Sequence, residues 1–472
     1  MNIQMRDAAA DLPPLSISTM AILAIATGVI AGVGAWAFRM LIGLVHNLMF
    51  LGTVSFFYDA NLHTLPGPLG IAVFLVPVAG AVVVAFLVGT FAPEAKGHGV
   101  PEVMDAIHFN EGRIRPRVAI VKSLASAISI GSGGSVGREG PIVQIGSAFG
   151  ATLGQVITMP TSDRINLIAA GAGAGIAATF NAPLGGVLFA VELLLVLIDA
   201  RNLLVVTLAT GTATYVGQWL LGTHPAFFIP ALETSDFYLA QPGALVEFAM
   251  LGVLMGIVSV AFIRGIYSTE DLFDAIPGNY YTRHVLGMAC VGAMMVLLQQ
   301  TVGNYYVQGV GYATILDVLL GNLTNPWFLL LLMVLKLVAT NLSLGSGASG
   351  GVFSPALFVG ATGGAAFGHF CLFLMPGISV GIPTFAVAGM GATIGGTTGA
   401  VLTGIVMITE MTQDHSAILP LLISGSIAYA VRKMLMDESI YTMKLLARGH
   451  VVAEGLVSAT AVLRRSPPKD TP

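Results

Sequence analysis

Apolar runs of helical length follow one another along most of the chain, and polar residues are confined to short stretches between them. None of these runs alternates polar and apolar residues as a membrane-spanning strand does, so they predict helices. Several are shorter than the roughly 20 residues that a helix needs to cross a bilayer. The runs lie at residues 19–50, 69–92, 117–130, 142–159, 165–180, 183–199, 202–221, 244–266, 284–302, 326–344, 354–374, 384–398, 400–411 and 418–436.

Glycine and proline interrupt this pattern repeatedly. Short helices broken by such residues are typical of membrane proteins whose irregular backbone lines an internal cavity. We therefore expect an all-α membrane protein with broken and re-entrant helices around an internal site. The interruptions lie at residues 97–101, 131–141, 181–183, 345–355 and 395–399.

The composition agrees with a membrane location. Of the 472 residues, 55% are hydrophobic and 9% are charged, and the mean hydropathy is +0.86. A soluble protein carries about 25% charged residues, so many membrane spans are expected. The net charge of -4 gives no indication of nucleic-acid binding. Cys290 and Cys371 lie inside apolar runs, which indicates neither a disulfide framework nor a metal cluster, and we expect no cofactor.

Two glycine-rich loops, residues 131–141 and 345–355, repeat one pattern. The agreement extends to Glu192 and Glu410 further along the chain, and it includes Ser, Lys, Pro and Thr as well as small residues. A chance match between glycine-rich helices is therefore disfavoured, and two homologous halves are predicted at about 20–215 and 240–436. Such symmetry is typical of secondary transporters with inverted halves. The loops agree at Gly131/Gly345, Ser132/Ser346, Gly133/Gly347, Ser135/Ser349, Gly137/Gly351 and Pro141/Pro355.

The start of an α-helix attracts anions, because its free N–H groups carry about half a positive charge. The two loops each lead into an apolar helix and so predict two helix starts that face one anion. Glu139 lies in the first loop, and an ionisable group at membrane depth indicates function by default. Its carboxylate can take the anion's place and leave it when protonated. The alternatives are a salt bridge between Glu139 and Arg138, and glycines that serve only close helix packing.

Three motifs in order, Gly137-Arg-Glu-Gly-Pro141, Gly351-Val-Phe-Ser-Pro355 and Ser439-Ile-Tyr441, resemble the CLC family of chloride channels and proton-coupled chloride antiporters. The resemblance covers nearly the whole chain. It implies a homodimer with one anion pathway per subunit, inverted halves, and Glu139 as the gating residue. The anion-binding residues that it implies are His98, Gly99, Arg138, Gly140, Val352, Phe353 and Tyr441.

Position 98 departs from the family's pattern. The first motif of the family is commonly Gly-Ser-Gly-Ile-Pro, whereas this chain has Gly97-His-Gly-Val-Pro101. Neutral imidazole donates one hydrogen bond and protonated imidazole carries charge, with an unperturbed pKa of about 6.5. Our hypothesis is that His98 alters anion preference or makes flux pH-sensitive. The alternative is that its ring turns away and only the backbone binds the anion.

A second departure lies at Glu192-Leu193. Antiporters of the family usually carry two glutamates here, and the second takes protons from the cytoplasm. Because Leu193 cannot carry a proton, we expect a channel-like uniporter of chloride or similar small anions, gated by Glu139. The alternative is proton-coupled chloride antiport that uses Glu139 with another internal route, through Glu192 or water.

Polar segments suggest the boundaries and the orientation. Charged residues concentrate at 94–117 and 267–283, which are read as loops, and in a basic tail. By the positive-inside rule the C-terminus is expected in the cytoplasm, in a plasma (inner) membrane. The expected organisation is a cytoplasmic segment at 1–18, a transmembrane domain at 19–436 and a short tail with Tyr441 at 437–472, without an appended soluble domain.

An intramembrane enzyme is a remote alternative to anion transport. Such an enzyme needs a nucleophile beside a base. The serines of the first glycine-rich loop, Ser129, Ser132 and Ser135, have only His98 as a candidate partner. We therefore expect a protein that is not an enzyme, with anions and the bilayer as its partners.

Overall fold

A computed structural model describes residues 12–223, 226–227, 243–374, 380–452 and 454, and this part of the chain is built of helices. Strand pairing within it is limited to two isolated bridges, Gly97 with Ser349 and Gly137 with Gly351. The all-α prediction is therefore confirmed. The α-helices in chain order are α1 (Ile17–His46), α2 (Leu75–Phe91), α3 (Val100–His108), α4 (Pro116–Gly131), α5 (Glu139–Val156), α6 (Thr161–Phe180), α7 (Pro183–Leu193), α8 (Ala200–Leu221), α9 (Gly243–Ala275), α10 (Tyr280–Val302), α11 (Tyr312–Leu319), α12 (Pro326–Ser346), α13 (Phe353–Leu374), α14 (Ile382–Thr398), α15 (Val401–Thr412), α16 (Ile418–Leu435) and α17 (Thr442–Leu446).

Eight helices of the described residues are long and apolar enough to cross a membrane. They are α1 with a π-helical extension at Asn47–Leu51, α2 with a 3₁₀ turn at Gly70–Phe74, α8, α9, α10, α12, α13 and α16. By contrast, α7 and α15 have 11 and 12 residues. Helices of that length stop partway through a bilayer, as the interrupted apolar pattern predicts.

Two polar stretches that the sequence suggests are loops contain helix. The stretch 94–117 holds α3, and α9 continues to Ala275 through polar residues of the stretch 267–283. Tyr267 shows why α9 extends so far: its half-buried hydroxyl donates a 2.6 Å hydrogen bond to the Ile440 carbonyl. A tertiary contact therefore stabilises a part of α9 whose sequence alone reads as a loop.

The two halves pack their central helices in the same way. In the first half α5 contacts α6 at Gly146 and Gly171, where a Cβ added to Gly146 would lie 2.1 Å from the Gly171 carbonyl oxygen. In the second half α13 contacts α14 at the matching Gly360 and Gly389, where the corresponding distance is 2.3 Å. Only glycine permits backbones to approach this closely. These equivalent contacts agree with the predicted repeat.

The short helices α7 and α15 join the halves through reciprocal caps. Glu410 on α15 accepts a 2.7 Å hydrogen bond from the Gly185 amide at the start of α7. Glu192 on α7 accepts 2.6 Å hydrogen bonds from the amide and the hydroxyl of Thr403 at the start of α15. Because the first amides of a helix lack intrahelical partners, each carboxylate stabilises the other helix.

Two fully buried lysines at matching positions hold the segments before the short helices α3 and α11. Lys122 donates to two carbonyls before α3, the closer being that of Gly97 at 2.7 Å. Lys336 donates in the same way before α11, the closer acceptor being the Gly309 carbonyl at 2.8 Å. Each ammonium thus fixes irregular backbone and gains hydrogen bonds that offset its burial.

Gly171→Ala is expected to destabilise the fold. The added Cβ would lie 2.2 Å from the backbone oxygen of Gly146, and overpacking of this kind typically costs about 1–3 kcal/mol. Thermal unfolding in detergent should show a lower midpoint. Gly211→Ala on α8 is the matched control, because nothing lies within 4 Å of its added Cβ. Equal midpoints for the two variants would contradict the packing argument.

Candidate anion-binding site

The two glycine-rich loops meet through their backbones. Gly137 and Gly351 each donate an amide hydrogen bond to the other's carbonyl, at 2.7 and 2.6 Å. A third segment joins them, since the Gly97 amide donates to the Ala348 carbonyl at 3.0 Å and the Gly350 amide donates to the Gly97 carbonyl at 3.2 Å. The starts of α3, α5 and α13 therefore converge, although they are far apart in sequence.

Glycine allows these segments to approach closely. A Cβ added to Gly137 would lie 2.0 Å from a carboxylate oxygen of Glu139, and one added to Gly140 would lie 1.9 Å from the His98 carbonyl oxygen. Gly99 has a φ of +83° at the residue before α3, a conformation that favours glycine. The absence of side chains thus brings the three helix starts into contact.

The carboxylate of Glu139 lies against the first turn of α13. The Ser354 amide donates to Oε2 at 3.3 Å, the Ser354 hydroxyl donates to Oε1, and the Tyr312 hydroxyl donates to Oε1 at 3.1 Å. Tyr312 and Ser354 also contact each other through their hydroxyls at 2.9 Å. Glu139 is 2% exposed. A negative group thus occupies the helix start where the sequence argument predicts an anion.

Arg138 does not neutralise this carboxylate. Within the described residues it forms no ion pair with Glu139, and its guanidinium instead lies over the rings of Tyr312 and Phe180, 5.0 and 5.6 Å from their centroids. Arg138 is nevertheless buried, and its Nε has no hydrogen-bond partner in the described part of the chain. The alternative of an Arg138–Glu139 salt bridge is therefore not what the structure shows.

The start of α13 contributes backbone donors. α13 begins at Phe353, directly after Val352, whereas the first amide of α3, that of Val100, donates to the His98 carbonyl at 3.1 Å. The first N–H groups of a helix have no intrahelical partner. The amides of Val352 and Phe353, which are both buried, are therefore available to a ligand beside the Glu139 carboxylate.

His98 and Tyr441 lie together next to the convergence of the helix starts. Their ring centroids are 6.0 Å apart, and both residues are buried, at 3% and 2% exposure. Tyr267 contacts His98 with its hydroxyl 3.4 Å from Nε2. Nδ1 of His98 has no hydrogen-bond partner among the described residues. The ring therefore lies between two tyrosines of distant segments, with one nitrogen unpartnered within the described ranges.

The pairing that an intramembrane enzyme would need is not formed by His98. Among the described residues, the ring of His98 has its polar contact with the Tyr267 hydroxyl and not with a serine. Ser129 accepts a hydrogen bond from the Ser349 amide at 3.2 Å, and Ser135 contacts the Thr340 hydroxyl at 3.2 Å. These serines therefore stabilise the loops.

Sequence reasoning missed three hydroxyl-bearing residues of this site, Tyr312, Ser354 and Tyr267. The positions of two of them in the repeated sequence pattern could have indicated a role. Ser354 lies inside the second repeated loop, and Tyr312 directly follows Gly311, which matches Gly99 when the halves are aligned. Tyr267 lies in the part of α9 that reads as a loop, so no motif indicated it.

Comparison with known proteins bears directly on this site. The family model for "Voltage gated chloride channel" matches residues 80–433. The H(+)/Cl(-) exchange transporter ClcA of Vibrio parahaemolyticus is 36% identical over 390 residues, which cover 80% of each chain. The protein of the same name from Yersinia pestis is 32% identical over 470 residues, which cover 98% of this chain and 93% of that one.

A solved structure is similar over almost the same extent. The crystal structure of a slow cyanobacterial Cl-/H+ antiporter has a TM-score of 0.79 and 26% sequence identity to this chain. The similarity covers 93% of this chain and 99% of that one.

These relatives overturn the channel-like interpretation that Leu193 suggests. Both named sequence relatives are exchange transporters, and the solved neighbour is an antiporter. The expectation of a channel-like uniporter is therefore wrong. Its physical weakness is that an apolar residue at position 193 removes one proton carrier without excluding another titratable group nearby.

Tyr312→Phe is expected to strengthen chloride binding. It keeps the ring and removes a hydroxyl that donates to Glu139. A hydrogen bond to a charged group contributes about 1.5–3 kcal/mol, so an anion that competes with the carboxylate should bind roughly tenfold more tightly or better. Calorimetric titration with chloride measures this change.

Tyr305→Phe is the matched control for that titration. Its ring is also buried but packs edge-on against Phe50, with centroids 6.0 Å apart. An unchanged chloride affinity in Tyr312→Phe, or an equal gain in both variants, would show that the Tyr312 hydroxyl does not hold the carboxylate in place.

Proposed function

This chain belongs to the CLC family of voltage-gated chloride channels and transporters, and we propose that it exchanges chloride for protons across a membrane. The observation that carries this proposal is the position of Glu139, whose titratable carboxylate lies buried on the donors that an anion would use. The exchange activity named for the relatives from Vibrio parahaemolyticus and Yersinia pestis supports it.

Competition between two negative groups supplies the coupling. An anion and the Glu139 carboxylate need the same donors at the start of α13, so one must leave before the other binds. Once displaced into apolar surroundings, a carboxylate favours its neutral, protonated form because burial penalises charge. To return to the donors it must release the proton. Movement of this side chain therefore couples proton binding to the passage of anions.

The electrostatics of the site suit a transported anion. Arg138 lies over aromatic rings, and the described hydrogen bonds of Lys122 and Lys336 are with backbone carbonyls. Helix dipoles and amides would then bind chloride or a similar small anion without a direct ammonium or guanidinium contact. An anion bound in this way can also leave, as transport requires. No cofactor enters this scheme.

We further propose a homodimer in the plasma (inner) membrane with the C-terminal segment in the cytoplasm. The basic residues after position 436 support this orientation, and the family resemblance supports the dimer. In this orientation the residues that pack beside the C-terminal segment, His98 among them, face the cytoplasm.

Reconstitution into vesicles tests the exchange. We expect an outward chloride gradient to drive protons into the vesicles even against a proton gradient, because each displacement of Glu139 binds a proton. Glu139→Gln should continue to pass chloride but lose the proton flux, since an amide does not titrate. A chloride electrode and a pH electrode record both fluxes in one sample.

Protein-free vesicles with a potassium ionophore are the control for leak. Chloride flux through the wild-type protein without uphill proton movement would contradict exchange. Retention of uphill proton movement in Glu139→Gln would contradict the role of Glu139.

A further inference from the structure

Exchange requires a route by which protons pass between Glu139 and the cytoplasm, and positions 192 and 193 do not provide one. Leu193 has no titratable group. The carboxylate of Glu192 accepts hydrogen bonds from the Leu402 amide at 3.1 Å and from the amide and hydroxyl of Thr403 at 2.6 Å. These three donors occupy both oxygens of the carboxylate, so Glu192 caps the start of α15.

His98 is a buried titratable group in direct contact with the loop that carries Glu139. Its carbonyl oxygen touches Gly140, the residue after Glu139, so closely that a Cβ there would lie 1.9 Å away. Its ring lies beside Tyr441, near the C-terminal segment. The histidine thus lies at the convergence of helix starts, on the side where that segment packs.

The hydrogen bonds of Tyr267 determine the tautomer of His98. The tyrosine has one hydroxyl proton, and the Ile440 carbonyl at 2.6 Å can only accept it. Nε2 of His98, 3.4 Å from the same hydroxyl oxygen, must therefore be the donor in that contact. In neutral imidazole only one ring nitrogen carries a proton, so Nδ1 is an unprotonated acceptor.

This acceptor is buried without a partner. Nδ1 forms no hydrogen bond within the described residues, and a buried polar atom usually has a partner. A lone pair on Nδ1 repels an anion, so neutral His98 cannot donate to chloride from this atom. With a proton on Nδ1, the same atom becomes a donor and the ring becomes a cation. Proton binding and anion binding at His98 therefore favour each other.

Charges on every neighbouring element act on this ring. Burial lowers the pKa of His98 most, and the nearby cationic groups of Lys444 of α17, Lys122 of α4 and Arg448 after α17 lower it further. Glu102 of α3 offsets part of that charge, because it pairs with Arg448 and lies 3.9 Å from Lys444.

The other ionisable neighbours of the ring are phenols. Tyr267 of α9 and Tyr441 have hydroxyls that are neutral near pH 7 in their unperturbed state. Glu270 of α9 is a further negative group that acts on Tyr267 and on Lys444.

We propose that His98 is the proton carrier on the cytoplasmic side of this exchanger, and that it takes up a proton at Nδ1 when an anion occupies the adjacent site. This inference rests on the proposed function. In the inward step a Glu139 O–H bond breaks and an Nδ1–H bond forms, either directly or through water. His98 then releases that proton to cytoplasmic water and returns to the neutral Nε2–H tautomer. The outward step is the reverse, and no oxidant or other reactant is consumed.

The number of protons moved per chloride measures this role. We expect His98→Asn and His98→Ser to lower that ratio at least tenfold in vesicles, because neither side chain titrates. Two variants are used so that a failure of one to fold leaves the other. His284→Asn is the matched control, since His284 is equally buried but its Nδ1 already contacts the Ser346 hydroxyl at 3.1 Å. Glu192→Gln should also keep the wild-type ratio.

Anion binding without transport gives a second readout. In Glu139→Gln the gating carboxylate no longer titrates, so pH dependence of chloride affinity must come from another group. We expect calorimetry to show affinity rising as the pH falls from about 8 to about 5, by up to about tenfold per pH unit if one proton binds with the anion. The double variant Glu139→Gln/His98→Asn should lose this dependence.

The outcomes separate this proposal from the proposed function. A wild-type proton-to-chloride ratio in both His98 variants, or chloride affinity in Glu139→Gln that does not vary with pH, would overturn the role of His98 while exchange stands. A lowered proton-to-chloride ratio in Glu192→Gln, together with a wild-type ratio in the His98 variants, would assign the proton route to Glu192. Absence of proton movement in the wild-type protein would refute exchange itself, and the calorimetry would still report whether His98 titrates with the anion.

Discussion

The paired amide hydrogen bonds between Gly137 and Gly351 are the constraint on which the site depends. They join the two repeated loops directly through the backbone, at 2.7 and 2.6 Å. Any side chain at Gly137 would occupy the space of the Glu139 carboxylate. Because Gly137 and Gly351 satisfy each other's peptide groups, the loops stay irregular inside an apolar domain without leaving those groups unpaired. The helix starts are then free to bind a negative group.

The same principle explains how the domain holds its buried and half-buried charges. Lys122 and Lys336 donate to backbone carbonyls, and Glu192 and Glu410 accept from backbone amides. Each charge thus compensates a part of the backbone that a short or broken helix leaves unsatisfied. Glu139 belongs to this group in its present position, but its donors can also serve a mobile anion. Because an anion can replace its carboxylate, Glu139 can act as a gate, whereas Glu192 and Glu410 only cap helices.

Sequence patterns predicted the architecture and much of the site, for physical reasons. Apolar runs, paired glycine loops and a carboxylate at membrane depth indicated the halves and the position of Glu139. The contacts of Tyr312 and Tyr267 could not be predicted, because a hydroxyl partner depends on how distant helices pack. The inference from Leu193 failed for a related reason: one position shows that a carrier is missing there, but not where the fold places another titratable group.

The reciprocal caps of α7 and α15 have a consequence for biogenesis. The amide of Gly185 and its acceptor Glu410 are separated by 225 positions, so the ribosome completes one long before the other. The first amides of α7 must therefore stay hydrated, or be shielded by the insertion machinery, until most of the second half has been synthesised. Each half supplies the carboxylate that caps the short helix of the other half. Neither short helix is therefore fully hydrogen-bonded until both halves have been inserted.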